Sequence, residues 1–406
     1  MTENSQLLPS QRPVVGIDIG KRRHAAAAVS ADGRSFGKPM AFGNDRAGID
    51  RLDERLLIPL KTDAPVLVAI EATGHYWMCL YFELVRRGYD CVVLNAIETN
   101  KKQHRRIRKT KTDKIDARGI ARFVREGDFG RSRIPDVLTF EMRYLVRHMW
   151  RLQGLASQLQ LSATSLVDVL FPEFTTVLST PWLKSSRALI REIGLSPAKL
   201  LESPEKTCAL ITTASRGQIS SAKIEKLMDC ARHSIGIGRA EGVLNGQLRN
   251  SLLLIEVIEA QIKDIDVELE RRIAALDSTL STIGLSTHTI ATIHAECDPV
   301  SDFTNARQLV AYAGLDPTVF QSGSPTQRSG RISKRGSRRL RQALYLAAMG
   351  LVFREGVFQD SYRRARKKGK HHVAALVAVA GQLTRIVFRM LRDKQVFDPN
   401  RKPTAR

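Results

Sequence analysis

The stretch that decides the fold is VVGIDIG at residues 14–20. Val14, Val15 and Ile17 make a short apolar run that ends in Asp18 and a glycine, the pattern of a buried strand. HAAAAVS (24–30) follows after a brief basic turn and can pair with it. VLVAIEATG (66–74) repeats the design, with Glu71 at its exit, and CVVLNA (91–96) is a third run of the same kind. Helical patterns fall between them, around residues 45–60 and 75–87. Strands alternating with helices predict an α/β sheet, and acids at the strand ends mark its active edge.

Two further acids follow in KKQHRRIRKTKTDKIDARGIARFV (101–124), a basic run that turns into a helical pattern near Thr112. A threonine there can cap a helix whose first turn holds Asp113. Asp113 and Asp116 then share a face, because helix residues three apart are neighbours. Taken singly, each acid also suits an ordinary turn or helix start. Taken together with Asp18 and Glu71, the pair can complete an all-oxygen cage for Mg²⁺ or Mn²⁺, cations able to activate an attacking oxygen and neutralise a leaving one.

Composition points to the substrate of such a site. Lysine and arginine outnumber acids 64 to 41, a formal charge of +23, which favours a polyanionic partner such as DNA or RNA. The length of 406 residues predicts two or three domains. The five cysteines are scattered without metal-ligand spacing, so no zinc site is indicated and a reducing compartment is expected. The polar N-terminal segment lacks a signal core and later apolar runs read as too short to span a bilayer. A cytoplasmic, nucleoid-associated protein without a membrane partner is the expectation.

The middle of the chain reads as a helical arm. Leu138, Met142, Leu145, Met149, Leu152, Ala156, Leu159, Ala163, Leu166 and Leu170 alternate steps of four and three before Pro172, a heptad seam. Leu244, Leu248, Ser251, Ile255, Ile258, Ile262, Ile265, Leu269 and Leu276 form a second, interrupted only by Ser251 and by Arg272 between the last two. The two can pair antiparallel within one chain or pack against another protomer. Residues 181–238 read as the turn-back of this arm.

From residue 278 the pattern changes. STIGLSTHTIATIHAE (281–296) suggests a helix-hairpin-helix opened by Gly284, with backbone amides available to a phosphate. In LVAYAGLDPTVFQSGSPTQRSGRISKRGSRRLRQALYLAAM (309–349), an apolar segment gives way to a Gly/Ser loop and then a basic helix. Small residues allow close approach to phosphate, and Ser322, Ser324, Ser329 and Ser333 all lie within reach of one. The candidate nucleic-acid contacts are Lys109, Lys111, Arg328, Arg331, Lys334, Arg335, Arg338 and Arg339. RRARKKGKHHV (363–373) is a last basic run, suited to phosphate contact or plain solvation.

VVGIDIGKRRH (14–24), VAIEATGHYW (68–77), RKTKTDKIDARGIARF (108–123), LVAYAGLDPTVFQSG (309–323) and GRISKRGSRRLRQALYLAA (330–348) together resemble the DEDD transposases of bacterial insertion sequences, relatives of the Piv DNA invertases and described as bridge-RNA-guided recombinases. The resemblance runs from about residue 13 to 391 in the family's order. It implies a RuvC-like, ribonuclease-H-type α/β domain (13–130), a helical coiled-coil domain (136–277) and a mainly α transposase domain (278–395). It maps the family's acidic tetrad onto Asp18, Glu71, Asp113 and Asp116, and its nucleophile onto Ser322. It further implies a 5′-phosphoserine intermediate, donor and target DNA, a structured bridge RNA, and a dimeric or tetrameric synaptic complex. A two-metal RuvC-like nuclease without a serine step, and a non-enzymatic nucleic-acid scaffold, are the alternatives from other classes.

Overall fold

The computed structural model describes residues 8–61, 64–72, 74–95, 113–127, 129, 134–276, 278–320 and 327–399, with the side chains of residues 95, 113–116, 319, 320 and 327–330 outside that description. The chain divides into two compact units, Met1–Ile134 and Pro135–Arg406.

The first unit is a five-stranded mixed sheet covered on both faces. Its strands are β1 (Val14–Asp18), β2 (Arg23–Val29), β3 (Ser35–Gly43), β4 (Leu67–Ala72) and β5 (Asp90–Asn95), in the order β3-β2-β1-β4-β5. β1, β2 and β3 pair antiparallel, whereas β1–β4 and β4–β5 are parallel. Helices α1 (Arg46–Leu52) and α2 (Trp77–Arg86) cover one face, where Val15, Ile17, Val68, Ile70 and Val93 meet Leu52, Leu80 and Leu84. Helix α3 (Asp113–Arg125) covers the other, where Val14, Leu67, Ala69 and Leu94 meet Ile120 and Val124. Burial on both faces explains why β1 and β4 read as continuous apolar runs. Arg12 ties the sheet's entry together: its buried guanidinium donates to the Pro65 carbonyl (2.9 Å) and to Asp90 (2.6 Å).

The second unit is built on two long helices, α4 (Val137–Leu170) and α10 (Glu241–Leu276). Asp136 caps α4 by accepting from the Thr139 amide at 2.9 Å. Near the start of α4, Met142, Met149 and Leu152 pack with Ile265 and Leu269 of α10. Near its end, Ala163 and Val167 share a core with Leu248 and Leu252. The two helices are therefore antiparallel within one chain. Between them, α5 (Phe174–Val177), α6 (Lys184–Glu192), α7 (Pro197–Glu202), α8 (Pro204–Ser215) and α9 (Ser221–Arg232) form a small module whose Phe174, Leu189, Leu200 and Leu227 join that same core with Phe171.

Beyond α10 come α11 (Thr287–Cys297), α12 (Ala306–Tyr312), a hairpin of β6 (Pro317–Phe320) and β7 (Gln327–Ile332), then α13 (Arg338–Leu351), α14 (Val357–Lys367) and α15 (His372–Asp393). The first limb of the expected helix-hairpin-helix is only a 3₁₀ turn, Thr279–Ile283, closed by Gly284 at φ 78°. The Gly284 carbonyl accepts from Arg354 at 2.9 Å, and α11 is buried from Thr289 to Cys297. This is a core element rather than an open phosphate cradle. The apolar runs also differ from expectation, since α15 is long and apolar enough to cross a bilayer. Its Leu376, Val379, Leu383, Val387 and Phe388 instead fill the core of this unit.

Candidate active site

Asp18 is the last residue of β1 and Glu71 lies near the end of β4. The parallel register places Ile17 opposite Ile70, so Asp18 and Glu71 are the next facing pair along the same two strands. Neighbouring strands lie about 4.8 Å apart. Both acids are half-buried, at the carboxyl ends of strands whose preceding residues are fully covered.

Alternation along the strands fixes which face they occupy. Asp18 shares a face with Gly16, and Glu71 with Ala69. That is the face of α3: a Cβ on Gly16 would stand 2.2 Å from the Ala117 carbonyl oxygen and 2.5 Å from the Ala121 amide nitrogen. Ala25, Ala27 and Ala117 form a small-residue patch beside it. Helix and strand touch backbone to backbone because no side chain separates them.

The direction of α3 follows from its far end. Arg125 donates to the carbonyls of Ser30 (2.6 Å) and Ala31 (2.7 Å), just beyond β2. Val29 of β2 pairs with Val14, where β1 begins. The helix thus ends at the start of β1 and begins toward its carboxyl end, with Asp113 and Asp116 in the first turn. Their side chains lie outside the described residues. Among the described residues no group of three or more His, Cys, Asp or Glu side chains is placed to hold a metal. Asp18 and Glu71 are the described acids at this edge, and carboxylate oxygens suit a hard divalent cation.

In the second unit, Ser322 and Ser324 fall outside the described residues, as do Lys109 and Lys111 of the first unit. Arg328 lies in β7 with its side chain undescribed. The base of the hairpin is well defined. The Ser333 amide donates to the Asp316 carbonyl at 2.8 Å and its hydroxyl to the Asp316 carboxylate at 2.5 Å. The Lys334 amide reaches the Gly314 carbonyl at 3.1 Å and the Ser337 amide the Tyr312 carbonyl at 2.8 Å. Gly314 and Gly336 have positive φ and back onto neighbouring backbone, so side chains are excluded at both. Arg331, Lys334, Arg335 and Arg338 are exposed around this base. Arg339 is half-buried and ion-paired with Glu296 at 3.9 Å.

Residues 15–172 match the DEDD IS110-type family profile described as "Transposase", and residues 277–363 match that of the "Transposase IS116/IS110/IS902 family". The chain belongs with the IS110/IS116-type insertion-element transposases. The uncharacterized 44.8 kDa protein of insertion element IS116 from Streptomyces clavuligerus is 28% identical over 95% of this chain and 96% of its own length. The mini-circle putative transposase for IS117 from Streptomyces coelicolor is 25% identical over 95% of both chains. The pilin gene-inverting protein of Moraxella bovis is 32% identical over 30% of this transposase and 38% of its own length.

Sequence reasoning missed Glu296, the one buried carboxylate among the described residues. Its Oε1 accepts from Arg147 at 3.3 Å and its Oε2 from the Ser337 hydroxyl at 3.0 Å. Arg143, beside Arg147 on α4, donates to the carbonyls of Ala295 (2.6 Å) and Asp298 (3.2 Å). Burial, and then the Glu296 charge, push the Tyr312 phenol above its usual range, so it stays protonated. A lone acid in the otherwise apolar and small THTIATIHAEC helix was the available signal.

Proposed function

We propose that this transposase cuts and rejoins DNA through a serine nucleophile that works with a metal-bound carboxylate cluster. The observation that carries the reading is the facing of Asp18 and Glu71 on adjacent parallel strands, with the first turn of α3 directed to the same edge. The β3-β2-β1-β4-β5 order, antiparallel on one side and parallel on the other, supports a RuvC-like, ribonuclease-H-type domain.

Asp18, Glu71, Asp113 and Asp116 would hold Mg²⁺ or Mn²⁺. When bound, such a cation withdraws charge from phosphate oxygens. The Ser322 hydroxyl oxygen attacks the phosphorus and loses its proton to a carboxylate. The phosphorus–O3′ bond breaks and the departing O3′ takes up a proton from water or the protonated carboxylate, leaving a 5′-phosphoserine and a 3′-hydroxyl. Attack by a second strand's 3′-hydroxyl on that ester restores the phosphodiester and frees the serine, without net hydrolysis. The clamped hairpin base would present Ser322 from a fixed support, while Arg331, Lys334, Arg335, Arg338 and Arg339 hold the strand. A structured bridge RNA would select target and donor, and two or four protomers would form the synaptic complex.

The test is a trapped protein–DNA adduct. The purified protein with its co-purifying RNA, its element's end sequences and Mg²⁺ should yield an adduct that mass spectrometry maps to Ser322. Cleaved DNA with no adduct at any stage would replace this reading with hydrolysis by a two-metal nuclease.

A further inference from the structure

Glu296 poses an electrostatic question, because a buried carboxylate is costly unless strongly paired. Its side chain is 3% exposed, yet the two guanidiniums on its Oε1, Arg147 and Arg339, are 44% and 38% exposed. They come from α4 and α13, elements far apart in sequence, and they converge on a single oxygen. The second oxygen is taken by Ser337, whose hydroxyl also accepts from the Leu340 amide at 3.2 Å and so caps α13. One carboxylate cannot neutralise two guanidiniums. Arg143 and Asp298 also act on this node, one positive and one negative, and offset each other. The assembly keeps a net positive charge, fixed from below and facing solvent.

We propose that Arg147 and Arg339, oriented by the buried Glu296, form a two-guanidinium clamp for a phosphodiester of the DNA backbone. The inference rests on the transposase reading for its ligand. A guanidinium presents a planar fork of donors; Arg147 is hydrogen-bonded to Glu296 through Nε and Arg339 faces the same oxygen at 3.9 Å, so both forks keep outer N–H groups available to phosphate oxygens. Glu296 is a positioning residue: it never touches the phosphate, and its role is to hold both forks and the α13 cap in one arrangement. The clamp also lies beside the base of the hairpin through Ser337, whose amide donates to the Tyr312 carbonyl at 2.8 Å. A strand seated there would pass close to the serine loop's support.

The test uses the full-length protein and fluorescence anisotropy with a labelled random-sequence DNA duplex, titrated across salt concentrations without added metal. Because it needs no cleavage, its failure is separable from failure of the serine mechanism. Arg147→Gln and Arg339→Gln should each weaken binding about fivefold and each lower the slope of log affinity against log salt by about one. Glu296→Gln removes a negative charge, so simple charge counting predicts tighter binding, whereas loss of fork orientation predicts weaker binding. If Arg147→Gln proves unfolded by its melting curve, Arg147→Lys carries the test. It keeps the charge and the slope and loses the fork, so its affinity should still fall. Wild-type affinity and slope in the arginine variants, or tighter binding by Glu296→Gln, would overturn the clamp. An RNA duplex of equal length is the second arm, and losses confined to RNA would overturn the assignment to DNA.

Discussion

A methyl group on Gly16 would come 2.2 Å from the Ala117 carbonyl oxygen, so strand β1 and helix α3 are in direct backbone contact. That contact sets how near the first turn of α3 comes to the Asp18–Glu71 edge. Gly16→Ala cannot be relieved by a rotamer change, since both partners are main chain. It should cost about 2 kcal/mol of stability and lower strand cleavage much more than DNA binding. A calorimetric melt paired with a cleavage assay checks both, and a wild-type cleavage rate in a destabilised Gly16→Ala would show that α3 does not position the acids.

Asp18→Asn and Glu71→Gln should each reduce cleavage by a factor of roughly a hundred or more while leaving the melting temperature and DNA affinity close to wild type. Both retain size and hydrogen-bonding capacity and remove only charge. Comparable cleavage by Glu71→Gln and wild type would remove Glu71 from the site.

Ser322→Ala should abolish the covalent adduct and strand exchange and retain DNA binding, whereas Ser324→Ala should remain active. Gel analysis of denatured reactions distinguishes them. An adduct persisting in Ser322→Ala would transfer the nucleophile's role to another residue.

Leu152 is buried between α4 and α10 near the middle of the arm. Leu152→Pro removes a helix hydrogen bond and inserts a ring into the preceding turn, at a cost of about 3 kcal/mol or more. Circular dichroism should register lost helix and a lower melting point. An unchanged melt would mean that the arm contributes little to the stability of the unit.

Glu83 makes acid sensitivity of the first unit measurable. Its carboxyl lies at about 2 because Arg86, and then Arg87, donate to it; the distances to Oε1 are 2.6 and 2.9 Å. Arg87 also reaches Asp50 at 2.7 Å and pairs with Asp53. A carboxyl depressed in the folded state adds stability above its unfolded pKa of about 4.3, and loses that contribution as pH falls toward the folded value. The urea midpoints of wild type and Glu83→Gln should therefore differ at pH 6 and converge toward pH 2. A constant gap would assign the difference to packing.

Legibility in the sequence tracked how local each cause is. β1, β4 and β5 were readable because strands covered on both faces are apolar throughout. β3 was not, since SFGKPMAFG carries Lys38 and Pro39, residues that suit a sheet edge and break the alternation expected of a strand. The arm's seams were readable, but their fine register was not. Val146 and Val167 are buried where Leu145 and Leu166 were expected, since α4 turns its contacts from α10 and α11 at one end to the small module at the other. The pairing of Asp18 with Glu71 was visible as two strand-end acids. Glu296 was not, because its burial depends on Arg147, 149 positions earlier in the chain.

The antiparallel course of α4 and α10 has a consequence for how this protein tolerates change. At 1.5 Å per residue, the 34 residues of α4 span about 50 Å, and α10 returns the chain along the same path. The excursion is closed: whatever leaves the C-terminal core at residue 137 comes back to it near residue 276. Matched deletions of whole heptads from the two helices would shorten the arm and leave both junctions in register, while an unmatched deletion would shear them. The arm is thus an adjustable spacer, and its length can drift between relatives, or be set by an engineer, without disturbing the residues at its root.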